Sequence, residues 1–483
     1  MKRAMTEAGA EPTANGEPTA PGRWALGSLA LSMLLASLGI SIANIALPTL
    51  AGAFSASFQQ VQWVIIAYLL AITVMIVSVG RLGDILGHRR VLLAGIILFT
   101  VASLLCGVAP TLWLLIVARG LQGLGAAILM ALTVALVRET TSKERTGSAM
   151  GLLGTMSAIG TALGPSLGGI LLAGPGWHAI FLIMVPLGIL NVLLAYRYLP
   201  VSRRKGEAGR SGFDALGTLL LGLTLGAYAL AVTVGGGTFD GLNLALLLAA
   251  GLGGGLFIMA QARAASPLIP LAALRNALLS ASLVMNGLVA TVMMATLVVG
   301  PFYLSRSLGL SEALVGIVMS IGPIISAFSG VPAGRLVDRL GAPIMAIAGL
   351  VAMATGAFAL SALPALFGVA GYLAAIAILT PGYQLFQAAN NTAVMLDVGA
   401  DQRGVISGLL SLSRNVGLIT GAAVMGALFA FASMTTDITT AHPQAIADGM
   451  QVTFAVAGLL MVVALGIAAI SRVLARRAAL AVS

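Results

Sequence analysis

Runs of about 20 mostly apolar residues, the length that an α-helix needs to cross a bilayer, recur along the whole of this 483-residue chain. Hydrophobic residues make up 59% of the sequence and charged residues only 8%, whereas soluble domains carry about 25% charged residues. The runs therefore predict an all-α integral membrane protein with fourteen transmembrane helices. They lie near 24–49, 61–79, 91–108, 113–137, 147–172, 178–199, 214–234, 242–262, 277–304, 312–333, 343–361, 366–392, 404–432 and 449–471.

The basic residues are distributed unevenly between the loops. If residues 1–23 lie in the cytoplasm, the cytoplasmic segments hold 22 of the 25 Lys and Arg residues, and the external loops hold one, Arg306. The other two, Arg119 and Arg414, fall inside helices. Cytoplasmic loops of membrane proteins are enriched in Lys and Arg, so both termini are predicted to be cytoplasmic. Membrane topology then accounts for the net charge of +10, and no nucleic-acid partner is expected.

Breaks in the apolar pattern divide the chain into segments. Residues 1–23 are polar and lack the apolar core of a cleavable signal, which predicts a disordered cytoplasmic tail. Six-helix bundles are predicted at 24–199 and 277–471, with basic cytoplasmic loops and two linker helices at 200–276. Residues 472–483 are predicted to form a second cytoplasmic tail.

Several classes of activity find no supporting residues in the sequence. The one cysteine, Cys106, rules out an intrachain disulfide and a cysteine-based metal cluster. The chain has no nucleotide-binding loop and no nucleophile–base pair or metal cluster within the spans. We therefore expect no cofactor, no metal and no enzymatic activity.

The two predicted bundles repeat one another. Residues 147–169 align without gaps on 404–426 at an offset of 257, and "GRLGDILG" (80–87) matches "GRLVDRLG" (334–341) at an offset of 254. Internal repeats are a common origin of transporter folds, with the substrate site near the bilayer midplane between the repeats. The repeat predicts two related bundles, a cavity between them, and helices 7 and 8 inserted in the connection.

A short charged loop lies between the second and third helices of each bundle. In the first bundle Asp84 and Arg89 lie between two glycine turns, and in the second Asp338 occupies the matching position. A carboxylate beside basic groups can form charge-assisted hydrogen bonds, so these residues are candidates for a latch at the cytoplasmic gate. The alternative is a loop whose solvated charges only set the topology.

An arginine and a glutamine lie on one face of helix 4. Arg119 is about 10 Å inside the span by helical rise, and Gln122 follows one turn later. Because a charged side chain is costly in lipid, Arg119 should face a cavity or a partner. A structural arginine bonded to backbone carbonyls of neighbouring helices remains the alternative.

The fifth helix carries a glycine-rich segment with a proline. Small residues at four-residue spacing allow helices to approach closely in membranes, and proline removes a backbone hydrogen bond and kinks a helix. The segment therefore predicts a packing seam. Its residues are Gly160, Gly164, Pro165, Gly168 and Gly169.

Together these segments resemble the major facilitator superfamily, in particular its fourteen-helix drug/proton antiporter group. The loop at 80–90 is similar to motif A of that group, 115–127 to motif B, and 160–169 to the antiporter motif C. Motif A is shared by the whole superfamily, whereas motif C is more specific and implies export. The similarity covers nearly all of 30–430. It implies a role for Arg119 in proton transfer and for Gly164 and Pro165 in packing of an antiporter's fifth helix.

One departure from the group concerns the proton carrier. The group usually has an aspartate in helix 1, where this chain has Gly39. Of the 15 acidic residues, 11 are predicted to be cytoplasmic and four external, and none lies deep in a span. Coupling would then use interfacial acids such as Asp84 or Glu139, or the usual coupling is absent. The interior charges are both cationic, Arg119 and Arg414, which favours neutral or anionic amphiphiles, unless Arg414 only pairs with helix-end carbonyls.

Polar residues on several spans are candidates for lining the cavity. Four of them share one face of helix 12, at positions i, i+4, i+7 and i+8. Any of them is also a candidate for an interhelical hydrogen bond. The candidates are Asn44, Gln62, Tyr68, Gln122, Asn286, Tyr383, Gln387, Asn390, Asn391 and Arg414.

The sequence thus predicts a secondary transporter of the cytoplasmic (inner) membrane. It would export small lipophilic or amphiphilic compounds by alternating access as a proton-coupled, multidrug-type antiporter, and it would act as a monomer surrounded by membrane lipid. An uncoupled facilitator, or a relative that uses another ion for anionic or neutral solutes, is the first alternative. A membrane protein that binds a ligand and moves nothing is the second.

Overall fold

The computed structural model describes residues 20–140, 146–200, 214–234, 240–264, 267–269, 271, 273–395, 403–433 and 441–482, and α-helices dominate this part of the chain. Thirteen of the described helices are long and apolar enough to cross a membrane. One of them, Ala342–Met395, is long enough to cross twice, because its 54 residues rise about 80 Å. The fold is therefore the predicted fourteen-helix one.

The helix bounds follow the apolar runs closely. The first bundle has α1 (Ala20–Ile45), α2 (Phe58–Leu86), α3 (His88–Gly107), α4 (Leu112–Thr140), α5 (Thr146–Ala173) and α6 (Trp177–Tyr198), with a short helix Leu47–Ala53 after α1. The inserted pair is α7 (Ala215–Thr233) and α8 (Gly241–Arg263). The second bundle has α9 (Ala277–Phe302), α10 (Glu312–Leu340), α11 (342–367), α12 (369–395), α13 (Arg403–Ala432, with a π-helical turn at Gly421–Met425) and α14 (Pro443–Val482).

Two of the predicted segment boundaries differ from the helix bounds. α1 begins at Ala20, inside the predicted tail 1–23, and residues 1–19 lie outside the described part. α14 continues through Val482, so the predicted tail 472–483 extends the last helix and is not separated from it by a break. The apolar run marks where a helix enters the membrane, whereas the helix itself extends for as long as its backbone hydrogen bonds can continue.

α11 and α12 form an antiparallel pair. Gly368 has φ 56 and ψ −129, a left-handed conformation that reverses the chain. On either side of it the two helices touch at matched positions: a Cβ built on Gly356 would lie 2.6 Å from the Leu379 Cβ, and one on Gly349 would lie 2.6 Å from the Phe386 nitrogen. The contacting numbers rise in one helix as they fall in the other, so each half crosses the membrane separately.

The structure repeats in the two bundles at the positions that the sequence predicted. The charged loops end at Gly87 (φ 96) and Gly341 (φ 88), each between the second and third helices of its bundle. α5 packs on α1, where the Ser41 hydroxyl donates to the Gly160 carbonyl at 3.1 Å. α13 packs on α9 with the same contact, from the Thr291 hydroxyl to the Gly417 carbonyl at 3.1 Å.

The inserted helix α7 touches both bundles. Against α2, the Trp63 indole donates to the Thr233 hydroxyl at 3.0 Å, and the hydroxyls of Ser78 and Thr218 are 2.7 Å apart. Against α13, the Tyr228 hydroxyl donates to the Thr420 hydroxyl at 3.1 Å. α8 packs on α7 and is otherwise largely exposed. The inserted pair is therefore attached mainly to the first bundle.

Candidate functional site between the two bundles

In the described part of the chain, the closest contacts between the two bundles lie near one membrane face. We call the face that holds Arg81, Arg89, Arg335 and Arg339 the basic face, and the other the opposite face. The hydrogen bonds that join described residues of the two bundles lie near the opposite face. The Thr49 hydroxyl donates to the Glu312 carboxylate at 2.7 Å, and the Gln62 amide donates to the Ala422 carbonyl at 2.9 Å.

Aromatic rings close the same end of the interface. The Phe58 ring, at the start of α2, lies 4.7 Å from the Phe302 ring and 5.5 Å from the Phe429 ring, both in edge-on geometry. All three side chains are fully buried. Buried aromatic pairs contribute about 0.5–1.5 kcal/mol beyond their area. They therefore seal the opposite face against water.

The backbone of α13 is locally adapted to this contact. A π-helical turn at Gly421–Met425 widens the helix, and such turns are frequent at functional sites. The Gln62 side chain reaches the carbonyl of Ala422 inside this turn. A Cβ built on Gly426 would collide with the same Gln62 amide, so only glycine leaves room for the glutamine.

α5 and α10 touch through glycine at the opposite face and separate towards the basic face. A Cβ built on Gly169 would lie 2.9 Å from the Gly316 Cα. At Gly151 and Gly154 of α5, and at Gly330 and Gly334 of α10, a built Cβ has no neighbour within 4 Å. Among the described residues, the space between the bundles is therefore closed at the opposite face and open at the basic face.

Weakening the closed end should shift the protein towards the other conformation. Thr49→Val removes the hydrogen bond to Glu312. A shielded hydrogen bond to a charged group contributes about 1.5–3 kcal/mol. Its loss should therefore raise the labelling rate of a cysteine at the closed end about tenfold. The reporter cysteine is introduced as Ile45→Cys, at a buried position at the end of α1 that contacts Gly316 of α10. The background carries Cys106→Ser, which removes the one native cysteine. Labelling uses a water-soluble thiol reagent.

Thr155→Val is the matched control for this experiment. The Thr155 hydroxyl bonds only to the Gly151 carbonyl of its own helix, at 3.0 Å. Its removal leaves the contact between the bundles intact, and the labelling rate should not change. Equal rates for Thr49→Val and Thr155→Val would mean that the Thr49 bond does not hold the bundles together.

Arg119 is the most deeply enclosed charge in the first bundle. Its side chain is 0% exposed and donates from Nε to the Val64 carbonyl at 2.9 Å and from Nη1 to the Gly39 carbonyl at 3.1 Å. Nη1 also bonds to Gln122 at 2.5 Å, so these two residues share one face as predicted. The guanidinium lies 4.1 Å above the Tyr68 ring. Arg119 therefore ties α4 to α1 and α2.

The surroundings of Gly39 in α1 are crowded. The Tyr68 hydroxyl donates to the Ala36 carbonyl at 2.9 Å and would lie 2.8 Å from a Cβ built on Gly39. Of the described carboxylates, none forms an ion pair with Arg119. Its Nη2 is buried without a hydrogen-bond partner. Backbone carbonyls and Gln122 hold the charge in place of a carboxylate.

Most of the other predicted cavity residues make hydrogen bonds within their own bundle. Asn44 donates to the Ile40 carbonyl of its own helix at 3.2 Å, and Gln387 donates to Tyr383 at 3.2 Å. Asn390 is 2% exposed with an unpartnered amide nitrogen, whereas Asn391 of the same helix is exposed. Gln62 differs from all of these because its hydrogen bond crosses between the bundles. Asn286 and Arg414 are treated below.

The charged loops at the basic face make local contacts in this conformation. Asp84 lies 4.0 Å from Arg81 and 3.2 Å from His88 of its own segment, and Arg89 donates to the Tyr196 carbonyl of α6 in the same bundle. Asp338 is exposed. A latch between bundles would form only with this end closed, and here it is open. The side chain of Glu139 lies outside the described part of the chain.

Of the residues that close the opposite face, Gln62 was a sequence candidate, whereas Thr49, Phe58 and Glu312 were not. The repeat could have drawn attention to Phe58 and Glu312, because the offset of 254 that relates the charged loops also makes these two positions equivalent. Phe58 and Glu312 lie at the beginnings of equivalent helices, α2 and α10. The sequence could not show that both positions contact the other bundle at the same membrane face.

Comparisons with known proteins agree with this architecture. The profile of the Major Facilitator Superfamily matches residues 29–422. The chain is 33% identical over 416 residues to the uncharacterized transporter YebQ of Escherichia coli (85% of this chain, 90% of YebQ). It is 30% identical to the riboflavin transporter RibZ of Clostridioides difficile (83% and 87%) and 31% identical to the multidrug resistance protein Stp of Mycobacterium tuberculosis (83% and 74%). A bacterial homologue of the lysosomal transporter Spinster matches with a TM-score of 0.67 at 16% identity, over 95% and 98% of the chains.

Proposed function

Because this chain belongs to the major facilitator superfamily and is a membrane transporter, we propose that it exports small amphiphilic compounds across the cytoplasmic membrane by alternating access. The observation that carries the proposal is the interface between the bundles, which is closed by a small set of contacts at one face and open at the other. Two rigid bundles around a central site can rock between two such states. The multidrug name of Stp supports an amphiphilic substrate.

The direction and the surroundings follow from the charge distribution. Lys and Arg residues mark the cytoplasmic side of membrane proteins, so we assign the basic face to the cytoplasm, with both termini there. The present conformation is then open to the inside, ready to receive a compound from the cytoplasm or the inner leaflet. Since one chain contributes both bundles, a monomer suffices. The partners are a small molecule, lipid and, in a coupled mechanism, protons.

The coupling ion is the part of the proposal with two candidates. The first is proton antiport through acids at the basic face, of which Asp84 and Glu139 are the candidates and Asp338 is the symmetry-related residue. The second is transport without proton coupling, which one specific observation favours. Arg119 is bonded to the Gly39 and Val64 carbonyls, and Gly39 stands where the drug/proton antiporter group that the sequence resembles usually has an aspartate. An arginine held by backbone carbonyls stabilises helix packing and exchanges no proton with a neighbour.

The deciding experiment is substrate-driven proton movement in sealed proteoliposomes that contain an internal pH dye. Anionic, neutral and cationic amphiphiles are offered in turn, with protein-free liposomes as the control. We expect at least one amphiphile to cross only in the presence of protein. Proton flux that requires substrate would identify antiport and direct mutation to Asp84 and Glu139. Substrate movement without proton flux would identify the second candidate, and no protein-dependent movement at all would contradict export.

A further inference from the structure

Arg414 is an intramembrane charge that the packing of the protein does not use. It lies 11 residues into α13, which begins at Arg403, and is therefore about 16 Å from the basic face by helical rise. Unlike Arg119, it forms no hydrogen bond, ion pair or cation–π contact with any described residue, and its Nε is shielded without a partner. An arginine at this depth without a partner among the described residues needs an explanation, since intramembrane charges normally have a partner or face water.

A polar stripe on α13 indicates where Arg414 points. Ser407, Ser411 and Arg414, at i, i+4 and i+7, share one helix face and are exposed or partly exposed. The other sides of the helix bury apolar residues such as Leu409 and Leu412. A charged side chain in such a stripe is costly against lipid tails. The stripe therefore faces the water-accessible space between the bundles, which is open to the basic face.

Asn286 of α9 places a second unused polar group beside this stripe. Its amide nitrogen donates to the Leu410 carbonyl at 2.9 Å, and Leu410 is one helical turn before Arg414. Its carbonyl oxygen, Oδ1, is buried and has no partner. The α9–α13 contact thus offers a strong cationic donor and a neighbouring amide that lacks one hydrogen bond.

The acids of the described part of the chain lie at helix ends, and none of them forms an ion pair with Arg414 deep in α13. They are Asp84, Asp214, Asp240, Glu312, Asp338 and Asp448. Arg119 is enclosed by carbonyls and rings and is not exposed. Arg414 is therefore the one described charge in the membrane interior that an entering molecule can reach.

From this placement we propose that Arg414 binds the anionic headgroup of the transported compound, and that the substrates are amphiphilic organic anions with a carboxylate. The inference rests on the proposed transport function and names its substrate class. A guanidinium is planar and permanently charged, and it holds a carboxylate through two parallel hydrogen bonds.

The test compares one lipophilic aromatic scaffold in three forms, as a carboxylate, a primary amide and a primary amine. Uptake is measured in vesicles of phosphatidylcholine, so that no anionic lipid competes for Arg414. Arg414→Gln should raise the half-saturating concentration of the carboxylate at least tenfold and change that of the amide less than twofold. Arg414→Lys should restore part of the carboxylate affinity. Arg275→Gln removes an exposed arginine outside the cavity and should leave all three unchanged.

The outcomes separate the substrate class from transport itself. Equal effects of Arg414→Gln on the carboxylate and the amide would make Arg414 a structural residue and overturn the proposal, as would a wild-type preference for the amine. If the wild-type protein moves none of the three, export fails, and equilibrium binding of the radiolabelled probes to the purified protein then decides the role of Arg414. Carboxylate binding that Arg414→Gln abolishes would support the site even so, and its absence would refute it.

Discussion

Replacing Gly164 by alanine is expected to lower the thermal stability of the protein more than any other single methyl group added to α5. The new Cβ would lie 2.5 Å from the Ser41 Cβ and 2.8 Å from the Ser41 carbonyl carbon of α1. Overpacking costs about 1–3 kcal/mol in a close-packed core, and here part of the obstacle is backbone, which cannot rotate away. The melting temperature of the purified protein in detergent measures the effect.

Gly151→Ala is the matched control, on the same helix and with the same chemical change. A Cβ at Gly151 has no neighbour within 4 Å, and alanine is the better helix former by about 1 kcal/mol. Its melting temperature should be equal to or slightly above that of the wild type. Ser41→Gly added to Gly164→Ala should recover only part of the loss, because the Ser41 carbonyl carbon remains. A wild-type melting temperature for Gly164→Ala would mean that α1 and α5 are less closely packed than described.

Arg119→Ala is also expected to lower the thermal stability strongly, and Arg414→Ala hardly at all. Removal of Arg119 leaves a cavity beneath Tyr68, breaks the bonds to the Gly39 and Val64 carbonyls, and deprives Gln122 of its donor. Large-to-small substitutions at such sites destabilise by about 3–5 kcal/mol. Arg414 has no partner among the described residues, so its replacement should leave the melting temperature at or above the wild-type value.

Arg119→Lys distinguishes the bonding geometry from the charge. A lysine keeps the positive charge as a single point on a flexible stem and cannot serve two helices and Gln122 at once. We expect a melting temperature between those of the wild type and Arg119→Ala. If Arg119→Ala and Arg414→Ala prove equally stable, the carbonyl bonds contribute little, and Arg119 is held there for another purpose.

The number of spans and the internal repeat could be predicted because they depend on patterns local to the sequence. An apolar run fixes the existence of a helix, and the matching glycines of the two halves identify equivalent helices. The partner of a given face could not be predicted in this way. Gly160 and Gly164 marked a close contact, but only the rotation of α5 in the bundle makes α1 the neighbour. The Arg119 contacts with Gly39 and Val64 likewise join residues that are far apart in sequence.

Conformation accounts for most of the remaining differences. Asp84 and Asp338 were predicted to form a latch between elements at the cytoplasmic gate. In the present conformation the two bundles are separated at this end, so the contacts of such a latch are not formed. Asn44 was a cavity candidate and turns out to bond within its own helix, which a sequence cannot distinguish from an interhelical bond. The roles assigned to these residues stay predictions, as do the roles of Arg119 and Glu139 in proton transfer.

The glycines of α5 and α10 that have no neighbours indicate how the two helices would meet in the conformation that is closed at the basic face. α5 and α10 already touch through Gly169 and Gly316, and the same two helices carry Gly151, Gly154, Gly330 and Gly334 at their separated ends. For the inner gate to shut, these bare stretches of backbone must come together as the outer ones do now. Larger side chains at these glycines should leave the stability of the present conformation unchanged and slow the transport cycle. Substitutions in the contacting half of the α5–α10 pair should therefore change the stability of the folded protein. Substitutions in the separated half should change the rate of transport.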